Sequence, residues 1–137
     1  MILVDTGPWV ALFDPRDALH ERSRETLRSI RGKLCTTVPV LTEAFHMLEP
    51  GSLGSRRLRE FLLKGGAAVW FMDQSAIERA FELMNRYADH PMDLADASLV
   101  TAAETLQTRR VFTLDRADFS TYRIRRGHSS AGFEILG

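Results

Sequence analysis

The sequence predicts an α/β fold: a central, mostly parallel sheet with helices on both faces. Short apolar runs recur at residues 2–4, 34–37, 67–72 and 110–114. Longer stretches of helical period separate them, and a capping or breaking residue marks nearly every boundary. Strands alternating with helices argue for parallel pairing, because only a crossover returns the chain to the same edge of a sheet. At 137 residues the chain is expected to be a single domain, 1–137, with one sizeable core.

The first run, Ile2-Leu3-Val4, is a buried strand ended by Asp5. Thr6-Gly7-Pro8 opens a helix, with Thr6 near the cap and Pro8 in the first turn, where its missing N–H costs nothing. Trp9, Val10, Leu12 and Phe13 make that helix largely apolar, and Asp14-Pro15 breaks it. A second helix is expected over residues 17–31, with Leu19, Leu27 and Ile30 inward and Gly32 as its stop. Residues 34–37 form the second strand. Thr37 caps the next helix, Pro39 lies in its first turn, and Val40, Leu41, Ala44, Phe45 and Leu48 form its apolar side. Pro50-Gly51 ends it, and a further helix covers residues 55–63 up to Gly65-Gly66.

Residues 67–72 are the third strand. Asp73 then caps an amphipathic helix in which Ile77, Ala80, Phe81, Met84 and Tyr87 share a face. His90-Pro91 separates it from a helix running from Asp93 to about residue 107. Residues 110–114 form the fourth strand, ended by Asp115. A short helix or turn follows over residues 116–119, and a last strand is expected near residues 133–136.

Composition narrows the function. With 45% hydrophobic and 26% charged residues the chain is an ordinary globular sequence, and no apolar stretch is long enough to span a membrane. No secretory leader is evident. A single cysteine excludes an internal disulfide and suits a reducing, cytoplasmic setting. The four histidines (His20, His46, His90, His128) have no zinc spacing. Net charge is zero, so nothing global marks a nucleic-acid binder. Of the 18 Lys and Arg, only Lys33 and Lys64 are lysines, leaving 16 arginines. That bias is also what a GC-rich genome produces.

Four carboxylates carry the chemistry. Asp5 and Asp115 end strands, Glu43 sits in the second turn of the helix after strand two, and Asp96 lies in the first turn of the helix that begins at Asp93. A parallel sheet gathers such positions at the carboxyl edge of its strands. Glu43 and Asp96 stand among apolar neighbours, TEAF and LADASLV, where a lone carboxylate is costly unless paired, neutralised or bound to a cation. Hard oxygen ligands suit Mg²⁺ or Mn²⁺, which polarise a phosphodiester and activate water.

Milder readings exist for each acid. Asp5 can cap the first helix, Glu43 can pair with Arg56 or Arg57, and Asp96 can complete a capping box with Asp93, for which capping is the primary reading. Asp118 suits a cap or turn, and His20 a structural role. The arginine groups 56, 57, 59 and 123, 125, 126 are as readily solvated charge as an RNA track, with Arg116 the better-placed phosphate contact.

LVDTGPWVALFD, DALHER, TVPVLTEAF, MDLADASLVTAAE and VFTLDRADF follow one another in an order that resembles the PIN domain, closest in pattern to the VapC-type toxins of toxin–antitoxin pairs. The resemblance covers nearly the whole chain. It implies a Rossmann-like three-layer sandwich and a divalent-metal-dependent endoribonuclease that uses Mg²⁺ or Mn²⁺ and leaves a 5′-phosphate. By its motifs the catalytic and metal-binding acids are Asp5, Glu43, Asp96 and Asp115. Thr113 matches the family's hydroxyl near the last acid and shares a strand face with Asp115 by alternation. Thr6, Asp93, Thr113 and Arg116 are expected to contact these acids or the substrate. The implied partners are an RNA substrate, a cognate antitoxin and a second copy in a homodimer.

Other classes fit less well. Asp5-Thr6-Gly7 alone resembles an aspartic protease, but that fold is nearly all β, and it would leave the other acids without a role. An Asp5-nucleophile phosphatase wants a second acid two residues on, where Gly7 stands, and a lysine near the later acids. A non-catalytic PIN-fold module that binds RNA or protein remains the alternative.

Overall fold

The computed structural model describes residues 1–137. Its sheet has five strands in the order β3-β2-β1-β4-β7: β1 (Ile2–Val4), β2 (Leu34–Thr37), β3 (Ala68–Trp70), β4 (Arg110–Phe112) and β7 (Glu134–Leu136). Every pairing is parallel, with Leu3 opposite Cys35 and Val111, and Val111 opposite Ile135. The expected α/β sandwich with a mostly parallel sheet is therefore the observed architecture. Its central strands read as uninterrupted apolar runs because both faces are covered: Ile2, Leu3, Val4, Val111 and Phe112 are all fully buried.

The helices are α1 (Thr6–Phe13), α2 (His20–Ser29), α3 (Val38–Leu48), α4 (Leu53–Leu63), α5 (Gln74–Arg86), α6 (Leu94–Leu106) and α7 (Arg116–Thr121). α6 is the most enclosed, burying Ala95, Ala97, Ser98, Leu99, Val100, Thr101, Ala102 and Ala103. Its small residues let it lie close between α5 and the sheet. Trp9 is also fully buried, and its indole N–H donates to Thr36 Oγ1 at 3.1 Å, which in turn donates to the Val4 carbonyl at 3.1 Å. One polar chain thus ties α1, β2 and β1 together.

Several boundaries differ from the sequence reading. α2 starts at His20 rather than residue 17, because Asp17 folds its carboxylate onto the Leu19 N–H (2.9 Å) in a turn of its own. Leu19 is exposed, not inward. α5 faces the core with Ala76, Ala80 and Leu83, while Ile77 and Phe81 are 39% and 54% exposed. β4 stops at Phe112, two residues early, and residues 123–132 form an antiparallel hairpin, β5 (Arg123–Arg126) and β6 (Ser129–Gly132), that the sequence did not announce. No helix is long and apolar enough to cross a membrane.

Candidate active site

A cleft of about 540 Å³ opens at the carboxyl ends of β1 and β4. Asp5, Glu43, Asp96 and Asp115 all line it, together with Asp93, Asp118, Thr6 and Arg116. The acids arrive from four separate parts of the chain, and local rules deliver each one. Asp5 leaves β1 and caps α1: its Oδ1 accepts the Thr6 N–H at 2.8 Å. The capping residue is therefore Asp5 itself, and Thr6 is the first helical residue. Glu43 is carried by α3, whose start is fixed by Thr37, with Oγ1 accepting the Val40 N–H at 3.4 Å. Thr37 Oγ1 also bonds Ser98 Oγ at 2.6 Å, which latches the start of α3 to α6, the helix that carries Asp96.

Asp93 caps α6 as expected, its Oδ1 accepting the Asp96 N–H at 2.8 Å. Asp115 caps α7 and accepts the Asp118 N–H at 3.1 Å. Thr113 lies just beyond β4, so it does not share a strand face with Asp115. Its hydroxyl donates instead to Asp5 Oδ2 at 2.8 Å and accepts the Asp115 N–H at 3.0 Å, bridging the two acids. Arg116 turns its guanidinium to the Gly137 carbonyl at 2.7 Å. Glu43 enters no ion pair with Arg56 or Arg57. His20 is structural, its Nδ1 lying 2.7 Å from the Ala11 carbonyl oxygen.

Tyr122 belongs to this site and the sequence reading did not single it out. Its hydroxyl donates to Asp96 Oδ2 at 2.7 Å. Tyr122 stands in the polar stretch Ser120-Thr121-Tyr122-Arg123, which carries no site signal, and only the fold reveals that its oxygen meets a carboxylate. His90 is the second such residue; it pairs with Asp118 at the rim.

Gathering these charges, two of them on largely buried carboxylates, has an electrostatic cost. Burial pushes Asp5 up to about 6, against the opposing hydrogen bonds from Thr113 and Thr6, and the charges of Glu43 and Asp93 add to the rise. Burial likewise raises Asp96 to about 7; Tyr122 opposes the rise, and Asp5, Asp93 and Asp118 reinforce it. Glu43 is raised by burial and by Asp93. Asp118 is raised chiefly by its contact with Asp115, while His90 pulls it down. The site thus favours positive charge.

No three His, Cys, Asp or Glu side chains stand in an arrangement that could by itself hold a metal ion. Mg²⁺ does not require one, since it is commonly held by one or two carboxylates and completes its shell with water and substrate phosphate. The donor set fits such an ion: oxygen throughout, in acidic excess, with Asp96 Oδ2 and both Asp5 oxygens held by the hydrogen bonds above.

The PIN domain family matches residues 2–124. Ribonuclease VapC26 of Mycobacterium tuberculosis (strain ATCC 25618 / H37Rv) is 30% identical over 128 residues, 89% of this chain and 92% of that protein. VapC20 of Mycobacterium tuberculosis, a sarcin–ricin-loop-cleaving toxin, shares the fold with a TM-score of 0.74 at 21% identity, over 81% of this chain and 87% of that one. A toxin–antitoxin complex from Klebsiella pneumoniae gives 0.69 at 19% identity, over 88% and 92%. With its motifs, its parallel sheet and its acid-lined cleft placed beside these relatives, the chain belongs to the PIN-domain family and is a homologue of the VapC-type toxin–antitoxin ribonucleases.

Proposed function

We propose that the protein is a divalent-metal-dependent endoribonuclease and the toxin of a toxin–antitoxin pair. The observation that carries this is the convergence of Asp5, Glu43, Asp96 and Asp115 on one cleft, with three of them pushed toward neutrality. Homology to a ribonuclease along nearly the whole chain supports the RNA substrate. The Klebsiella pneumoniae structure, a toxin–antitoxin complex of the same fold, supports an antitoxin partner.

In this reading Asp5 and Asp96 hold Mg²⁺ or Mn²⁺, with Glu43 and Asp115 completing the acidic wall. When bound, such an ion neutralises the carboxylates, polarises the phosphodiester and makes water a competent nucleophile. Thr113 keeps the Asp5 and Asp115 strand ends in register with each other. Glu43 receives no protein hydrogen bond and is free to accept a proton from the attacking water at its carboxylate. Arg116, at the rim, contacts substrate phosphate. A non-catalytic module has less support, because it leaves the cost of the buried acids without a return.

The test is cleavage of an end-labelled structured RNA by the purified chain in Mg²⁺, in Mn²⁺, and in EDTA followed by metal add-back. Cutting that requires metal and leaves 5′-phosphate ends is expected. Cutting undiminished by EDTA would refute the metal dependence.

A further inference from the structure

We propose that Tyr122 is a positioning residue of the site: its hydroxyl pins Asp96 so that the other carboxylate oxygen is presented to the cleft. This rests on the nuclease reading above.

The two most deeply set acids are each held by a side-chain hydroxyl from a residue that does not itself line the cleft. Thr113 donates to Asp5 Oδ2, and Tyr122 donates to Asp96 Oδ2 at 2.7 Å. Asp96 Oδ1 receives no protein donor, although the residue lines the cleft. The pin is rigid. Tyr122 is fully buried at the end of α7, and its ring meets three others edge-on: Tyr87 at 5.2 Å and 72°, Phe119 at 5.3 Å and 80°, and His90 at 6.0 Å and 80°. A phenol fixed on three sides cannot follow a wandering carboxylate, so the carboxylate conforms to it. His90 also pairs with Asp118, so the same cluster braces the α7 side of the cleft. Partners of this kind orient metal-binding carboxylates and tune their affinity.

The competing explanation is packing alone, with the hydroxyl satisfied by Asp96 merely because both are buried. Tyr87 separates the two. It is the only other tyrosine, it belongs to the same cluster, and its hydroxyl accepts only the Arg123 backbone N–H at 2.8 Å.

The experiment compares the full-length wild type, Tyr122→Phe and Tyr87→Phe by Mn²⁺ titration calorimetry and by kcat and KM on one labelled RNA. Tyr122→Phe is expected to weaken Mn²⁺ binding about ten- to hundredfold and to lower kcat with little change in KM. Tyr87→Phe should bind Mn²⁺ as the wild type does. In the Tyr87→Phe chain Tyr122 is the sole tyrosine, so Mg²⁺ addition should also perturb tyrosine near-ultraviolet absorbance there; a silent spectrum overturns the proposal even if Tyr122→Phe fails to fold. Equal Mn²⁺ affinity in Tyr122→Phe and wild type, or equal weakening in both variants, likewise overturns it while leaving the nuclease reading intact. A wild type that neither binds Mn²⁺ nor cuts RNA overturns the nuclease reading itself.

Discussion

Asp96 shows the electrostatic cost of a carboxylate buried in the cleft. Its carboxyl is raised to about 7 and that of Asp5 to about 6, both above the ordinary 3.8 of an unfolded chain. Between those limits the folded chain binds more protons than the unfolded one. The metal-free protein therefore has the benefit of neutral Asp5 and Asp96 below about pH 4 and loses it as pH rises through about 6 and 7. Asp96→Asn removes the charge while keeping the shape, so thermal unfolding of the metal-free variant at pH 8 should occur a few degrees above wild type, with cleavage lost. A variant that is inactive and also less stable at pH 8 would mean that the burial cost is not carried by this charge. For the wild type, Mn²⁺ affinity should increase from pH 6 toward pH 8, because the ligands must ionise to bind; calorimetry at several pH values reads this directly. The convergence of the four acids was legible at residue level because each sits just after a strand, at a helix cap or in an early helical turn. The hydroxyls that steady them were less so. Thr113 was placed on a strand face with Asp115 by alternation, but β4 ends before alternation applies; its hydroxyl meets Asp115 through the backbone N–H and holds Asp5 as well.

At the scale of elements, capping chemistry was the most readable feature. Thr37, Asp73 and Asp93 cap α3, α5 and α6 as their sequence positions imply. The buried face of α5 was read in part: Ala80, Met84 and Tyr87 do meet the core, while Ile77 and Phe81 do not. Ile77 and Phe81 are the larger apolar side chains, yet Ala76 and Leu83 take the core positions facing the rest of the fold. Leu83→Ala should cost about 2–5 kcal/mol in denaturant unfolding. Phe81→Ala, by contrast, should change the stability of the monomer by no more than about 0.5 kcal/mol. The reverse order would restore the face read from the sequence. The β5–β6 hairpin escaped notice for a related reason: Arg123-Ile124-Arg125-Arg126 offers only Ile124 to the core, and its turn lies at Gly127 within polar surroundings. A strand so charged carries almost no apolar signal.

For the whole molecule, five parallel strands form one frame with a single carboxyl edge, and that edge is where the acids meet. The fold class could be read because alternating strands and helices leave few topologies, and because the order of motifs resembled one family over most of the chain, residues 2–124 of which the family matches. The geometry of the cleft could not, since it depends on contacts such as Thr37 with Ser98, sixty-one residues apart in sequence. In the proposed function Asp5, Glu43, Asp96 and Asp115 act together as one metal-dependent centre for RNA cleavage. The direct measurement is the cleavage rate of one labelled RNA in Mn²⁺ by the wild type and by Asp5→Asn, Glu43→Gln, Asp96→Asn and Asp115→Asn, each first shown to be folded. Cutting by the wild type and its loss in all four variants are expected. Wild-type rates in any folded Asp5→Asn or Asp96→Asn protein would contradict the proposed function.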